Sequence, residues 1–476
     1  MGNNSLTTIA FDTDVIHTKC HFMTKNPYVP PNVVPHETPL GAFASLRAAK
    51  SNVLDIIPAI SYRQPIVSGK TGPARWHMVQ GPEGMRRVFL ENVENYPKAE
   101  VMIRMLRPAV GASLFTAEGA DWRWQRRAIA PVFAARNVDA LAPIMTATAE
   151  RTAAKLTLET GPKPIVSNMM EATFDVICDV ALSGRDHFDV QAYSAAITRY
   201  FLTIGRASLL DFARVPPWFP RPAELLGAGA VRRMHKMVAK AISDRQTTGP
   251  KPQFDLLDHV MAAQDPQSGQ KMSARDVLHN MQFFIVAGHE TTALAISWAL
   301  LMLANDPQAQ EAMAREARAQ LGSNPARAQD LAQMPLVQSV LQESMRLYPP
   351  VGFLAREARE ADHLYDRAIA PKDAVFLSIY ALHRHELYWH NPNHFQHDRF
   401  LPEPAAKIDK FLHLPFGAGP RICVGANFAI MQASIILATL LARFKFTPAG
   451  PAPRPVMHMT IRPDPEVMLN VHPRNE

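Results

Sequence analysis

The residues whose types and spacing most clearly suggest chemistry lie near the C-terminus, where residues 416–425 read Phe-Gly-Ala-Gly-Pro-Arg-Ile-Cys-Val-Gly. Glycines suit places where the backbone takes a positive φ or must approach a bulky group. A metal-binding thiolate needs nearby donors or cations, and Arg421 lies two residues before Cys423. An apolar run at 426–441 predicts a helix that begins beside the cysteine. The pattern indicates a flat metal cofactor whose iron takes sulfur as an axial ligand; the alternative is a buried structural cysteine beside a loop.

A polar cluster interrupts a second apolar run, residues 277–305, which predicts a helix of about eight turns. Polar groups inside an apolar helix are costly unless they have partners or a function. The small residues Ala287 and Gly288 would let a cofactor approach the backbone. Thr291, one turn after Ala287, can bond back to a carbonyl and bend the helix, which would open a groove for a small ligand and water. The alternative is a polar kink without a chemical role.

Two further pairs of side chains are placed one helical turn apart. Trp122 and Arg126 would share a helix face, where an indole N–H and a guanidinium make paired donors for a carboxylate. Glu343 and Arg346 would also share a face, and their spacing suits an ion pair. The alternatives are a solvated basic helix face for the first pair and a surface ion pair of little energetic value for the second.

These residues together resemble those of the cytochromes P450. The haem-binding signature of that family is Phe-x-x-Gly-x-Arg-x-Cys-x-Gly, and its fixed places are filled by Phe416, Gly419, Arg421, Cys423 and Gly425.

The family pattern for the central helix, Ala/Gly-Gly-x-Asp/Glu-Thr-Thr/Ser, matches residues 287–292 at every place. The resemblance assigns Glu290 and Thr291 to proton delivery during oxygen activation. His289 occupies the variable place and is interpreted as neither a metal ligand nor a base.

The resemblance also assigns residues to a haem b cofactor, whose iron would be bound by the Cys423 thiolate. The cofactor-binding residues that it implies are Trp122, Arg126, Ala287, Arg356, Phe416, Arg421, Cys423 and Gly425. The tryptophan and the three arginines of this set would hold the haem propionates. A buried structural network is implied for Glu343, Arg346 and Arg399, beside which Asp398 replaces the usual Glu.

The expected fold is mainly α with a minor β portion, the cytochrome P450 fold, with a single haem-thiolate domain at 41–476 after an extended arm at 1–40. Residues 101–111 are apolar but include Pro108 and Gly111, which predicts an apolar loop. The resemblance implies that this loop covers the substrate pocket. For this segment, ordinary core packing is the alternative. The substrate-pocket residues that the resemblance implies are Met102, Ile103, Phe284, Ala287, Val351, Phe353 and Leu354.

The elements around these residues follow from apolar periodicity and from the positions of proline and glycine. A hairpin is predicted at 64–80, helices at 140–161, 168–183, 190–212 and 223–246, a proline-rich loop at 215–222, and terminal hairpins at 446–473. Five histidines match no usual zinc-ligand spacing and indicate a solvated meander. They are His383, His385, His390, His394 and His397.

Composition limits the classes of function. With 476 residues and 47% hydrophobic content, the chain can bury a large core. The net charge of +7 is modest and the basic residues are scattered, so nucleic-acid binding is not predicted. The three cysteines, Cys20, Cys178 and Cys423, form no disulfide framework and are fewer than the four or so that an iron–sulfur module needs. If electrons are required, they would therefore come from another chain, and the resemblance to the cytochromes P450 implies a separate ferredoxin and its reductase.

No apolar core of signal-peptide or anchor length is present at the N-terminus. The apolar stretch 281–304 is interrupted by His289 and Glu290, which favours a buried core helix over a membrane span. A cytoplasmic monomer without a membrane anchor is expected.

The function that the resemblance implies is that of a haem-thiolate monooxygenase, which inserts one atom of O2 into a mostly apolar small molecule by hydroxylation or a related oxidation. One alternative is a peroxide-using or isomerising haem-thiolate enzyme, against which the Glu290–Thr291 pair argues because such relatives often lack it. Another is a non-catalytic haem sensor or carrier, but no signalling or DNA-binding module is visible in the sequence.

Overall fold

The computed structural model describes residues 28–38, 40–71, 74–158, 160–182, 189–203 and 222–474. Helices dominate this part of the chain. The α-helices are α1 (Ala42–Ser51), α2 (Pro82–Arg86), α3 (Glu100–Val110), α4 (Gly119–Ile129), α5 (Ala135–Leu158), α6 (Ile165–Ala181), α7 (Val190–Thr203), α8 (Pro222–Thr248), α9 (Leu256–Met261), α10 (Ala274–Asn305), α11 (Pro307–Leu321), α12 (Pro335–Leu347), α13 (Ile379–Leu382), α14 (Pro402–Ala405) and α15 (Ala426–Arg443).

The strands are short and form four small sheets within the described residues. They are β1 (Ile66–Thr71), β2 (Ala74–Val79), β3 (Lys163–Pro164), β4 (Phe353–Glu357), β5 (Asp362–Leu364), β6 (Arg367–Ile369), β7 (Ala374–Ser378), β8 (Phe444–Pro448), β9 (Arg454–Met457), β10 (Ile461–Asp464) and β11 (Met468–Pro473). The largest sheet has the order β1-β2-β7-β4, in which β2 and β7 are parallel and the other pairs antiparallel. This architecture confirms the predicted mainly α fold with a minor β portion.

Helix α10 runs through the centre of the fold and packs on α6, α12 and α15. Its N-terminus is fixed by a capping box, in which the Ser273 side chain accepts from the Asp276 N–H and the Asp276 carboxylate accepts from the Ser273 N–H. Residues 292–304 are buried on every face, as expected of an apolar helix surrounded by other helices. Because neighbouring helices cover this helix, a partly exposed side chain in its middle indicates an internal space and not the protein surface.

The predicted hairpin at 64–80 is the pair β1 and β2, but the predicted loop at 101–111 is wrong, because Glu100–Val110 form helix α3. Pro108 lies in the last turn of α3, where its missing N–H costs one helical bond after two turns are already complete. Gly111 ends the helix with a φ of +56°, and a Cβ there would lie 2.1 Å from the His279 ring. The proline and glycine therefore mark the end of a helix and not a loop.

The described part of the N-terminal arm is anchored to the structure beneath it. The N–H of Phe395 donates to the Tyr28 carbonyl (3.0 Å), the Tyr348 hydroxyl donates to the Pro31 carbonyl, and the Ala59 N–H donates to the His36 carbonyl (2.9 Å). The division into an arm at 1–40 and a domain at 41–476 stays a prediction. Residues 1–27 with Cys20, the loop at 215–221 and the end of the 190–212 helix lie outside the described residues.

Two helices of the described chain, α10 and α15, are long and apolar enough to cross a membrane, and 78% and 67% of their most apolar windows are buried inside the protein. A third candidate would arise if Gly119–Phe133 and Ala135–Leu158, which bend by 55°, formed one span. The burial of α10 agrees with the prediction of a core helix at 281–304. The absence of a membrane anchor stays a prediction.

Candidate functional site

The cysteine lies in a turn that leads directly into α15. Gly417 and Gly419 take φ values of +71° and +67°, and a Cβ on Gly419 would lie 1.9 Å from the carbonyl oxygen of Phe89, so only glycine fits there. The N–H of Cys423 donates to the Phe416 carbonyl (3.0 Å), which closes the turn. The turn thus holds one cysteine at the N-terminal end of a buried helix.

The surroundings of Cys423 suit a metal-bound thiolate. The side chain is densely surrounded by protein atoms, yet part of its surface is accessible, as expected of a group that lines an internal space. Burial raises the pKa of the Cys423 thiol, whereas the Gly425 N–H and the charge of Arg126 lower it. Since burial dominates, the thiolate would be stable here when a metal ion carries its charge.

A stripe of partly exposed side chains runs along the otherwise buried middle of α10, and we call it the open stripe. Between residues 281 and 304, the partly exposed side chains in this otherwise buried helix are Phe283, Val286, Ala287, Gly288 and Thr291. Phe283, Ala287 and Thr291 are spaced by four residues and therefore lie on one face. The Thr291 hydroxyl donates to the Ala287 carbonyl (2.8 Å), the back-bond that the sequence predicts.

An aromatic bridge connects the cysteine turn to α10. The Phe133 ring lies 3.9 Å from the position that a Cβ on Gly425 would occupy, and it packs edge-on against Phe284 with ring centroids 5.1 Å apart. Because Phe284 shares a helix face with Thr291, the Phe133 ring connects the cysteine turn to that face of α10.

The structure refines two sequence interpretations on α10. Phe284, a predicted pocket residue, shares a helix face with Thr291, seven residues later, but the Phe133 ring covers it and leaves it buried, while its neighbour Phe283 is partly exposed. Gly288, expected to admit a cofactor, is partly exposed and also allows close helix packing, since a Cβ there would lie 2.9 Å from the Ile177 side chain of α6.

Glu290 is directed away from the open stripe and towards β10. Its carboxylate accepts from Arg462 Nε (2.6 Å) and from the Thr460 hydroxyl. Burial raises the pKa of Glu290, but Arg462 and Thr460 lower it further, so the pKa lies below its ordinary value and the group is ionised. The structure does not bring the Glu290 carboxylate into contact with Thr291. His289 is buried edge-on against Phe174, and burial lowers its pKa to about 4.

A buried cationic cluster lies beside the cysteine turn. Backbone hydrogen bonds from Ala99 N–H to the Ala355 carbonyl and from Glu357 N–H to the Pro97 carbonyl, each 3.2 Å long, place Lys98 beside Arg356. Burial lowers the pKa of Lys98 to about 7, helped by Arg421.

Burial and the charge of Arg421 also lower the pKa of Arg356, to about 10. Each cation of the cluster faces an aromatic ring. The distances to the ring centroids are 5.4 Å for Lys98 over Phe115, 6.0 Å for Arg356 over Phe89 and 4.3 Å for Arg421 over Trp122.

This cluster fits the propionates of haem b. Among the described residues, Glu118 is the carboxylate that pairs with Lys98 and Arg421, so together with Arg356 two positive charges remain uncompensated in a poorly hydrated place when Lys98 is protonated. Haem b carries two propionate carboxylates, which match that excess. Arg126, partly buried near Cys423 and without an ion-pair partner among the described residues, can hold a further carboxylate oxygen.

The predicted structural network is assembled, with Glu343 and Arg346 fully buried and the Arg399 side chain 10% exposed. Glu343 accepts from Nε and Nη2 of Arg346, each at 2.7 Å, and from Arg399 Nε at 3.2 Å. The remaining Arg346 donor, Nη1, binds the carbonyls of His383 (2.8 Å) and Pro392 (2.7 Å). Burial raises the pKa of Glu343, but the two arginines lower it below its ordinary value. The network joins α12 to the segment that precedes the cysteine turn.

The predicted solvated histidine meander is partly wrong, because His383 and His385 are fully buried. His383 Nδ1 donates to the Arg346 carbonyl (3.1 Å), and its Nε2 accepts from the Leu414 N–H (2.8 Å). The histidine is thus a neutral bridge within the core, and burial lowers its pKa. Among the described residues, no group of three or more His, Cys, Asp or Glu side chains is placed to hold a metal ion.

The other predicted pocket residues are partly exposed in the interior, on α3 and around β4. They are Met102, Ile103, Val351, Phe353 and Leu354. Phe115, which sequence reasoning missed, is also partly exposed and packs against Phe283 with ring centroids 5.6 Å apart. Phe115 precedes the predicted Trp122 helix and carries no motif of its own.

Four other residues of the site were missed: Lys98, Glu118, Thr460 and Arg462. Lys98 and Glu118 flank α3 and α4, and only the three-dimensional fold brings them to Arg421. Thr460 and Arg462 lie on the terminal hairpin, far in sequence from Glu290. The sequence offers one signal for Arg462: Glu290 stands in an apolar helix, and a buried carboxylate needs a cation or another donor from elsewhere in the chain.

Comparison with known proteins gives consistent results. A family model described as Cytochrome P450 matches residues 53–471. The chain is 29% identical over 446 residues to a cyclooctatin synthase from Streptomyces melanosporofaciens, which covers 93% of this chain and 94% of that protein. It is 28% identical to a taurochenodeoxycholic 6 alpha-hydroxylase from Sus scrofa, with 83% and 81% covered. The crystal structure of the cytochrome P450DA heme domain superposes with a TM-score of 0.82 at 21% identity, covering 94% of this chain and 99% of that one.

Proposed function

The chain belongs to the cytochrome P450 family, whose cofactor is haem b, and we propose that it inserts one atom of O2 into a mostly apolar organic substrate, with electrons from a separate ferredoxin and its reductase. The observation that carries the proposal is the Phe133 ring, which connects the turn that holds Cys423 at the start of α15 to the face of α10 that carries Thr291.

Haem b bound through Cys423 would supply the reductive activation of O2, to which a thiolate ligand contributes electron density. The chain's own part is to hold this cofactor and to control water and protons around it. The cations Arg126, Arg356 and Arg421, with Lys98, would bind the propionates, and Trp122 would pack against Arg421 at that edge.

Thr291 is placed to control a proton on the substrate side. Because its hydroxyl donates to the Ala287 carbonyl, the lone pairs of its oxygen remain available to accept a hydrogen bond from water in the open space. The ionised Glu290 would exchange protons with solvent near Arg462, whose side chain is 47% exposed. Water would complete the path between the two residues.

Thr291→Val removes the hydroxyl while keeping the branched shape. We expect the amount of product formed per electron pair consumed to fall about tenfold or more, because a positioned proton-transfer group typically contributes about 10²–10⁴-fold. The measurement compares NADPH consumption with product formation in a reconstituted system. The control is Ser297→Ala, which removes the same type of bond to a carbonyl four residues earlier (2.7 Å) in a fully buried part of α10. Unchanged coupling in Thr291→Val would refute the assignment.

The interior residues favour an apolar substrate. Phe283, Phe115, Met102 and Val351 present hydrocarbon, thioether or aromatic surface to the open space. One of the similar proteins is named as a hydroxylase, which supports hydroxylation as the reaction type. The size and shape of the substrate would be set mainly by the aromatic pair of Phe115 and Phe283.

Phe283→Ala is expected to change the ratio of products, or the set of compounds bound, because it enlarges the space beside Ala287. Phe284→Ala is the matched neighbour: it should leave the product ratio unchanged and lower stability by about 3–5 kcal/mol, the usual cost of removing a buried ring. Product analysis and thermal denaturation separate the two effects. If the Phe284 variant changed the products and the Phe283 variant did not, the orientation of the pocket face would be wrong.

A separate ferredoxin remains our proposal for the electron donor. Of the basic residues near the site, Arg127 is committed to a bidentate pair with the buried Asp265 (2.7 Å), and Arg123 pairs with the exposed Glu94 (3.2 Å). The buried ion pair argues against Arg127 as a residue that contacts the electron donor. We also propose a cytoplasmic monomer without a membrane anchor.

The experiment that tests the proposed function is turnover with reduced ferredoxin compared with turnover driven by peroxide alone. Candidate substrates can first be found by the spectral shift that accompanies displacement of water from the haem iron. We expect product to depend on the ferredoxin system and on O2. Product formed only with peroxide would favour the peroxide-using alternative.

A further inference from the structure

We propose that Glu118 is a positioning residue of the haem edge, which holds two of the propionate-binding cations in place and keeps the reduction potential of the haem iron low. This inference rests on the proposed function, because it assumes that haem b binds at Cys423. It concerns a carboxylate that none of the sequence motifs includes.

Glu118 connects three separate segments of the chain. Its Oε1 accepts from both the backbone N–H (3.4 Å) and the Nζ (3.2 Å) of Lys98, which belongs to the segment paired with β4. Its Oε2 accepts from Nη2 of Arg421, in the cysteine turn. Glu118 is itself the residue that precedes α4, the helix that carries Trp122. One carboxylate therefore fixes two cations that would otherwise repel each other.

The two cations are held where water cannot stabilise them. The side chain of Lys98 is 9% exposed and that of Arg421 is 12% exposed, and each lies over an aromatic ring. Bound propionates would favour the protonated form of Lys98, and with Arg356 the cluster would then carry three positive charges, which Glu118 and the two propionates would balance. Without Glu118, the same cluster would hold the propionates with one positive charge in excess. Glu94 and Arg359 are the other charged groups whose fields reach Arg421.

The excess charge has a direct electrochemical consequence. Reduction adds an electron to the haem, so nearby positive charge favours the reduced state and nearby negative charge disfavours it. A partly buried carboxylate is screened less than one on the surface. Glu118 would therefore shift the midpoint potential of the iron to more negative values, and its removal would shift that potential to more positive values.

The test is a redox titration of the purified holoenzyme and its Glu118→Gln variant, which keeps the size of the side chain and removes its charge. We expect a more positive midpoint potential for the variant. Glu94→Gln is the matched control, since Glu94 lies nearby but is 67% exposed and pairs with Arg123 on the surface; because solvent screens its charge, this substitution should shift the potential much less than Glu118→Gln does. Glu118→Asp retains the charge and should keep the potential closer to wild type than the glutamine variant does.

An unchanged or more negative potential in Glu118→Gln would overturn the inference, and so would an equal shift in Glu94→Gln. If the glutamine variant took up no haem, Lys98→Met would provide the test. It removes a positive charge that partly neutralises Glu118, so the midpoint potential should become more negative than that of the wild type. No shift in Lys98→Met would also refute the charge argument. Failure of the proposed function is distinguishable, because it would show in the wild type as haem without a thiolate ligand.

Discussion

Cys423→Ser is expected to abolish turnover and the thiolate-ligated haem spectrum. A serine hydroxyl stays protonated at neutral pH, so it would not supply the anionic ligand that a thiolate at residue 423 would give to haem iron. The turn itself should survive, because it depends on Gly417, Gly419 and the hydrogen bond from the residue 423 N–H to the Phe416 carbonyl. The measurements are haem content, the absorbance of the reduced protein with carbon monoxide, and product formation.

Cys178→Ala is the matched control for that substitution. Cys178 is fully buried in α6, and its truncation should cost about 1 kcal/mol, an ordinary value for a small buried change. We expect this variant to retain the wild-type haem spectrum and turnover. A Cys423→Ser protein that kept the spectrum, or a Cys178→Ala protein that lost it, would contradict the assignment of the ligand.

Glu343→Gln is expected to prevent the accumulation of folded, haem-containing protein. Glu343 and Arg346 have no solvent exposure, and Arg346 would be left as a buried cation whose nearest carboxylate had gone. Breaking a buried pair from one side typically costs about 3–5 kcal/mol, a large share of the roughly 5–15 kcal/mol that stabilises a domain. The loss should also loosen the segment around His383 that supports the cysteine turn, because Arg346 donates to the His383 carbonyl.

Thermal denaturation and haem content measure this effect. Glu403→Gln is the control, because Glu403 and Lys407 form a pair of similar spacing on the surface (3.8 Å), with side chains 83% and 76% exposed. Such a pair contributes little, so the melting temperature should hardly change. A Glu343→Gln variant as stable as the Glu403→Gln variant would show that the buried network is not structural.

The features that the sequence predicted well are those whose partners lie within one turn or one helix. The cysteine turn, the bond from Thr291 to Ala287 and the pairing of Glu343 with Arg346 all depend on local spacing, and the structure forms each of these contacts. The burial of the Glu343–Arg346 pair could not be predicted from sequence, because the same Glu–Arg spacing occurs in surface pairs. Only the fold shows that this pair is enclosed.

The features that were missed depend on segments far apart in the chain. Lys98, Glu118 and Arg421 meet because the segment before α3 pairs with β4 and because α4 begins beside the cysteine turn. No periodicity of any single segment contains that information. The difference between Phe283 and Phe284 has another cause: spacing places Phe284 on the helix face of Thr291, and only the fold shows that Phe133 covers it while Phe283 stays partly exposed.

The central claim is that the sulfur of Cys423 ligates the iron of a buried haem. It is tested most directly by the absorbance spectrum of the purified wild-type protein after reduction and addition of carbon monoxide. We expect the band of a thiolate-ligated haem. A spectrum typical of a histidine-ligated haem, or a protein that contains no haem after expression with ample haem supply, would contradict the account.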